Sequence, residues 1–191
     1  MNRKSFTLTA AALALLVGTL AGCVATGTPT PPPPSSSSGS ATGPGAVLPV
    51  AADPIVNPST TAGLSIAAAA VEDNVDPATK KAISDRLQVT LANSTSAPLT
   101  NVEIYYEMTD VTTKQSEGYY MALDGVTVPA HGETTVYFDN ESAAGHFPEN
   151  KFSLYRSSVN EVDFTIEASA DGVAIATGTA TKGAGTGEQA D

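Results

Sequence analysis

The chain has 191 residues, and 20 Asp and Glu against 9 Lys and Arg give it a formal net charge of −11. That excess of acid argues against nucleic acid as a partner, because phosphates require a basic surface. One Cys excludes an internal disulfide and a multi-cysteine zinc site, and two His leave little for acid–base chemistry. Composition alone names no activity.

Residues 1–22 are typical of a secretory signal peptide. Arg3 and Lys4 precede an apolar run from about Leu8 to Leu20, and small residues follow that run. The run is shorter than the roughly 20 residues that a membrane-spanning helix requires. We therefore expect residues 1–22 to direct export and to be removed.

The segment ends in Leu20-Ala21-Gly22-Cys23, which resembles the lipobox of bacterial lipoproteins. The resemblance implies cleavage before Cys23, a diacylglycerol on its thiol and the option of an acyl chain on its new amino group. A second chain converts marginal membrane binding into stable binding. We expect the protein at the extracytoplasmic face of the cell membrane; the alternative is a secreted protein with a chance Cys near its cleavage site.

Residues 23–60 are predicted to be a disordered tether. The stretch is rich in Pro, Ser, Thr and Gly, with Pro31–Pro34 followed by Ser35–Ser38, and it has too few bulky apolar residues to form a core. The interpretation is a spacer that holds a folded domain, residues 61–182, away from the membrane. Residues 183–191 are predicted to be a disordered tail.

Alternating apolar and polar residues predict an all-β domain between residues 61 and 182. Predicted strands cover residues 63–71, 86–93, 101–110, 118–123, 134–139, 161–168 and 173–181. Asp124-Gly125 and Asp171-Gly172 predict tight turns. Gly178 predicts a β-bulge, and Asp76-Pro77 predicts a helical turn through residues 80–83. The predicted core consists of Leu87, Val89, Leu91, Val102, Ile104, Tyr106, Met108, Val136, Phe138, Val162, Phe164 and Ile166.

About seven strands separated by turns favour an immunoglobulin-like antiparallel β-sandwich. The run LANSTSAPLTNVEIYYEMTD, residues 91–110, resembles the FxLYD-type immunoglobulin-like domains of bacterial surface proteins. Residues 106–110 stand where the family motif would lie, and only Asp110 matches it outright. The resemblance supports the fold and implies no activity, since such sandwiches host many functions.

The residues give little support to catalysis. His131 lies in a Pro-Ala-His-Gly turn and His146 in a second loop, both typical of solvated positions, and the chain has no Gly-x-Ser-x-Gly nucleophile motif. Most strand carboxylates fall on outward positions, where a solvated sheet face explains them. We therefore predict that the protein is not an enzyme and needs no cofactor beyond the lipid on Cys23.

Calcium is the metal that the acidic loops suggest, because it prefers hard oxygen ligands. Glu72, Asp73 and Asp76 form the favoured cluster, and residues 139–142 (Asp-Asn-Glu-Ser) form the second. Neither follows the EF-hand spacing, so acidic loops that aid solubility remain the alternative. A small-ligand or Ca²⁺-binding lipoprotein associated with a membrane complex is accordingly the second function hypothesis.

The first function hypothesis is a non-catalytic interaction module displayed at the cell envelope. Tyr105 and Tyr137 fall on outward strand positions, and Glu103 and Glu107 flank Tyr105. Exposed Tyr among carboxylates is typical of recognition surfaces, although cross-strand packing also explains such residues. These four side chains are the predicted contact face for an unknown envelope protein or cell-wall component.

Overall fold

The computed structural model describes residues 47–72, 78–79 and 86–185. The predicted signal peptide, Cys23, most of the tether, Asp73, Asp76 and the predicted helical turn at 80–83 lie outside the described residues. Lipidation of Cys23 therefore stays a prediction.

Eight strands and one helical turn form the described part of the domain. They are β1 (Leu64–Glu72), β2 (Arg86–Asn93), β3 (Glu103–Asp110), β4 (Ser116–Ala122), β5 (Glu133–Phe138), β6 (His146–Phe147), α1 (Leu154–Ser157), β7 (Val162–Ser169) and β8 (Ala176–Lys182). Seven strands lie within about three residues of their predicted bounds. The sequence does not predict β6 and α1, because two and four residues are too few to produce a recognisable period.

The strands form two sheets, in the orders β1-β2-β5-β6 and β4-β3-β7-β8. The chain leaves the first sheet after β2, returns to pair β5 with β2, and then pairs β7 with β3 and β8 with β7. This crossing between sheets is the connectivity of immunoglobulin-like sandwiches, so the predicted fold class is confirmed. The pairing of β5 with β6 is parallel, unlike the other strand pairings.

The core lies between the sheets, where the inward positions of both meet. Tyr106 is at its aromatic centre, with ring centroids 5.5 Å from Tyr119, 5.4 Å from Phe138 and 6.3 Å from Phe164. All twelve predicted core residues are buried. The period-2 pattern therefore predicted the inward face of every strand on which it was used.

The predicted bulge at Gly178 is wrong. Gly178 pairs in register with Ile166, and the register shift lies instead in β1, between Ile66 and Ala68. A Cβ on residue 178 would lie 2.9 Å from Cγ2 of Ile66. Glycine therefore serves the close approach of β1 to β8 across the open side of the sandwich.

The segment that precedes β1 is bound to the domain. The backbone N–H of Val50 donates to the carbonyl of Gly118 at 2.8 Å. The Asn57 amide donates to Ser169 Oγ and to the Val173 carbonyl, each at 2.9 Å. Contacts with the sandwich thus begin before the predicted boundary at residue 61.

Asp110 has a structural position at the end of β3. Its carboxylate accepts hydrogen bonds from Ser158 Oγ (2.6 Å), from the backbone N–H groups of Thr113 and Thr112 (2.7 and 2.8 Å) and from Asn160 (2.9 Å). These hydrogen bonds hold the pKa of Asp110 well below its usual range, and the bond from Ser158 has the largest effect. The residue ties two loops to β3.

Candidate functional site

The predicted contact face divides between two sides of the molecule. Tyr105 points outward from β3 and Tyr137 points outward from β5, and these strands belong to different sheets. The outward faces of the two sheets are opposite faces of the sandwich. Tyr105 and Tyr137 therefore cannot belong to one contact face.

Tyr105 is also covered, with only 8% of its surface exposed. The Tyr105 hydroxyl packs against Gly118, where a Cβ on residue 118 would lie 2.5 Å from the hydroxyl oxygen. The same hydroxyl donates a long hydrogen bond of 3.4 Å to Glu107 Oε2. Burial, followed by the charge of Glu107, raises its pKa, and Asp53 of the preceding segment contributes. Residues 47–60 therefore help to cover Tyr105, although the alternation of β3 predicts that this outward side chain is exposed to solvent.

Tyr137 is half-buried between two side chains. The guanidinium carbon of Arg86 lies 5.1 Å from the ring centroid, and the His146 ring stacks on Tyr137 at 4.8 Å with an interplanar angle of 21°. Arg86 Nε is in turn 2.9 Å from Glu72 Oε2. Packing against other side chains of the chain therefore accounts for the position of Tyr137. Glu72, the one described residue of the favoured calcium cluster, is already paired with Arg86.

The fold brings His146 close to the second acidic loop, residues 139–142. His146 Nδ1 lies 2.8 Å from Asp139 Oδ2 and 3.7 Å from Glu141 Oε2. The ligand atoms of these three residues all lie within 4.8 Å of one another. Sequence reasoning missed the role of His146 because the two-residue parallel strand β6 that places it beside Tyr137 has no sequence signature.

The two histidines differ in environment. His131 is exposed, has a φ of +53° and donates its backbone N–H to the Thr95 carbonyl, as expected of a turn residue. The His146 side chain is only 15% exposed, and among the described residues its imidazole hydrogen bonds go to Asp139. That pairing orients the ring without supplying a nucleophile.

A cleft of about 810 Å³ opens at one end of the sandwich. Its walls come from the β2–β3, β4–β5 and β7–β8 loops and from residues 56–59 of the preceding segment. Loops from several strands meet at this end because hairpins and crossovers of an immunoglobulin-like sandwich close there. The volume lies within the usual range of ligand sites, about 300–1,000 Å³.

The cleft has an apolar base and an acidic rim. Val102, Leu123 and Ala170 are buried beneath it, and Glu103, Asp124 and Asp171 contribute carboxylates. No Lys, Arg or His is among the described residues that line it. Of the four side chains in the predicted contact face, Glu103 alone lies in this wall.

Local structure holds the rim in place. The Asn101 amide, on a residue with a φ of +51°, donates to Asp171 Oδ2 at 2.6 Å. Gly125 and Gly172 have φ values of +80° and +76°, which confirms the two predicted Asp-Gly turns. The turns were predictable from local sequence, whereas their meeting in one cleft depends on the sheet topology.

The wall also contains a charged hydrogen bond. The Tyr120 hydroxyl donates to Glu103 Oε1 at 2.7 Å. Burial, followed by this bond to the carboxylate, raises the pKa of Tyr120 to about 12. Tyr120 thereby holds the carboxylate of Glu103, a residue that lines the cleft.

Comparison with known protein families finds no match for this chain, and comparison with curated proteins likewise finds none. In the part of the chain that the structure describes, no helix has the length and apolar character needed to cross a membrane.

Proposed function

We propose that the protein is a lipid-anchored cell-envelope protein whose immunoglobulin-like domain is a non-catalytic binding module, with the loop-end cleft as its binding surface. The cleft is the observation that carries this proposal. It combines a concave apolar base with converging polar groups, the usual composition of a binding site. It replaces the face through Tyr105 and Tyr137, which the two sheets separate.

The charge of the cleft indicates the chemistry of its partner. Three carboxylates and no described cation at the rim favour a positively charged group. The net charge of −11 favours the same kind of partner over longer distances. The proposed partner is a protein or cell-wall component that presents an amine or a basic side chain.

The residues arranged at the cleft favour binding over catalysis. Its lining consists of carboxylates, amides, hydroxyls and apolar side chains, and both histidines of the chain lie elsewhere. A hydrolase would require a nucleophile with a base and an orienting group in reach. The alternative, a small-ligand lipoprotein associated with a membrane complex, would use the same cleft for a free amine.

The anchor is tested by Cys23→Ser in the full chain expressed in a bacterial host. We expect the unaltered protein to incorporate labelled fatty acid and to sediment with membranes, and the variant to take up no label. The reason is that no other thiol in the chain can be acylated.

A matched control moves the thiol instead of deleting it. The double variant Cys23→Ser/Ser35→Cys should also remain unlabelled, because acylation requires the lipobox and not merely a thiol near the N-terminus. Label retained in either variant contradicts the proposed anchor.

The cleft is tested with a photo-crosslinking amino acid placed at Thr127 in the full chain, which leaves the rim carboxylates in place. Thr127 is exposed at the cleft, so we expect an adduct with an envelope component after irradiation of cells. Adding Asp171→Asn should reduce its yield, because one rim charge is lost. The yield should also fall with ionic strength, since salt screens attraction between exposed charges.

Thr165 is the matched control position, because it is exposed on the outward face of β7. Asp163→Asn is the matched charge control, because Asp163 is exposed on that same outward face. Equal adducts from positions 127 and 165, or an adduct from 165 alone, would contradict binding in the cleft.

A further inference from the structure

Three side chains with metal-binding atoms lie close together at the junction of β5 and β6. They are an imidazole, His146, and two carboxylates, Asp139 and Glu141. The Asp139 side chain is 3% exposed, that of His146 is 15% exposed and that of Glu141 is 58% exposed. A nearly buried carboxylate thus faces a ring nitrogen, with an exposed carboxylate at the opening.

The contact between His146 and Asp139 has two chemical explanations, a hydrogen bond and a shared cation. His146 Nδ1 lies 2.8 Å from Asp139 Oδ2, so either a proton or a cation must separate these two atoms. A proton on Nδ1 satisfies Asp139 and leaves Glu141 Oε2 at 3.7 Å, beyond hydrogen-bond distance. A divalent cation would engage all three groups at once.

The spacing suits a small tetrahedral ion. Zinc binds nitrogen and oxygen ligands at about 2.0–2.2 Å. In a regular tetrahedron this bond length places neighbouring ligand atoms about 3.4 Å apart. The observed distances from His146 Nδ1, 2.8 Å to Asp139 and 3.7 Å to Glu141, lie on either side of that value. The third separation, between the two carboxylates, is at most 4.8 Å.

The ligand types distinguish this cluster from a calcium site. Calcium takes six to eight oxygen ligands, whereas an imidazole with carboxylates suits zinc and similar transition metals. The calcium sites suggested by the acidic loops did not include a histidine. The second of those loops gains His146 only through the fold.

Neighbouring groups hold the ligands in position. The His146 ring stacks on Tyr137, its partner in the register of β5 and β6. The backbone N–H of Glu141 donates to Asp139 Oδ1 at 3.0 Å, and His146 Nδ1 lies 3.0 Å from that oxygen and 2.8 Å from Oδ2. Such supporting contacts orient metal ligands and tune their affinity.

The geometry points to a binding site for Zn²⁺ or a similar divalent transition metal, formed by Asp139, Glu141 and His146. The three ligands leave one coordination position open to solvent, as in zinc sites with three protein ligands. Occupation would fasten the loop between β5 and β6 to the outward face of the first sheet. This site is separate from the proposed binding cleft.

The test uses the full chain in detergent, stripped with EDTA and titrated calorimetrically with ZnCl2, CaCl2 or MgCl2 alone. We expect one Zn²⁺ per chain and a melting temperature that rises with Zn²⁺, with no comparable response to Ca²⁺ or Mg²⁺. Failure to bind Zn²⁺, or Ca²⁺ binding of equal strength, overturns the proposal.

Two variants locate the binding. Glu141→Gln changes an exposed side chain and should leave the fold intact, and His146→Gln removes the nitrogen ligand. Each should weaken Zn²⁺ binding at least about tenfold, because even outer-shell partners are worth about 10–100-fold. His131→Asn is the matched control, since His131 is exposed in a turn and Asn tolerates its positive φ. Unchanged affinity in Glu141→Gln and His146→Gln, or a loss in His131→Asn, overturns the assignment.

Discussion

Replacing Arg156 by Met is expected to lower the free energy of unfolding by about 3–5 kcal/mol, the usual cost of breaking a buried ion pair. Arg156 and Glu149 are 6% and 3% exposed, and Arg156 Nε donates to Glu149 Oε1 at 2.7 Å. The Tyr155 hydroxyl donates to Oε2 of the same carboxylate at 2.9 Å. Met has similar bulk and no charge, so the variant removes the Arg156 guanidinium from a buried carboxylate. Urea denaturation monitored by circular dichroism measures the change.

The double variant Arg156→Met/Glu149→Gln separates loss of charge balance from loss of packing. Gln at position 149 removes the negative charge and keeps an oxygen that accepts the hydrogen bond from the Tyr155 hydroxyl. The double variant should therefore be more stable than Arg156→Met alone. A double variant less stable than the single one would contradict an uncompensated Glu149 charge as the cause of the loss.

Arg86→Met is the matched surface control. The ion pair of Arg86 with Glu72 has side chains 28% and 36% exposed, and such pairs contribute about 0–1 kcal/mol. The stack on Tyr137 contributes about 0.5–1 kcal/mol more. A cost for Arg86→Met equal to that for Arg156→Met would contradict the role assigned to burial.

The sequence predicted most of the fold because strand periodicity is a local property. Alternation in Arg86–Asn93 identifies Leu87, Val89 and Leu91 as inward, and all three are buried. The same rule assigned Tyr105 to the outward face correctly. It did not show that the preceding segment covers this face, because that cover depends on contacts between distant residues. The Asn57–Ser169 hydrogen bond, for example, joins residues 112 positions apart.

The candidate sites were harder to predict for the same reason. Asp124-Gly125 and Asp171-Gly172 were recognised as separate turns, and only the order of the strands brings both to one cleft. His146 was recognised as a loop residue, and only its pairing beside Tyr137 brings it to Asp139. Local patterns identify turns and faces, whereas a site requires the positions of several loops at once.

Phe138→Ala is expected to lower the free energy of unfolding by about 3–5 kcal/mol, the usual range for a buried Phe. Phe138 is fully buried at the end of β5, with ring centroids 5.4 Å from Tyr106 and 5.9 Å from Phe147. The substitution leaves a cavity between the sheets and removes the aromatic support of β6. The same urea denaturation measures the cost.

Phe152→Ala is the matched control, because Phe152 is 77% exposed and surface changes usually cost within about 0.5 kcal/mol.

Phe138 also connects the core to the three-ligand cluster. The backbone N–H of the next residue, Asp139, donates to the carbonyl of Phe147 at 3.2 Å. Phe138→Ala should therefore speed hydrogen exchange at Asp139 and weaken Zn²⁺ binding, while Phe152→Ala changes neither. A destabilised Phe138→Ala protein that keeps its Zn²⁺ affinity would show that the cluster does not depend on this packing.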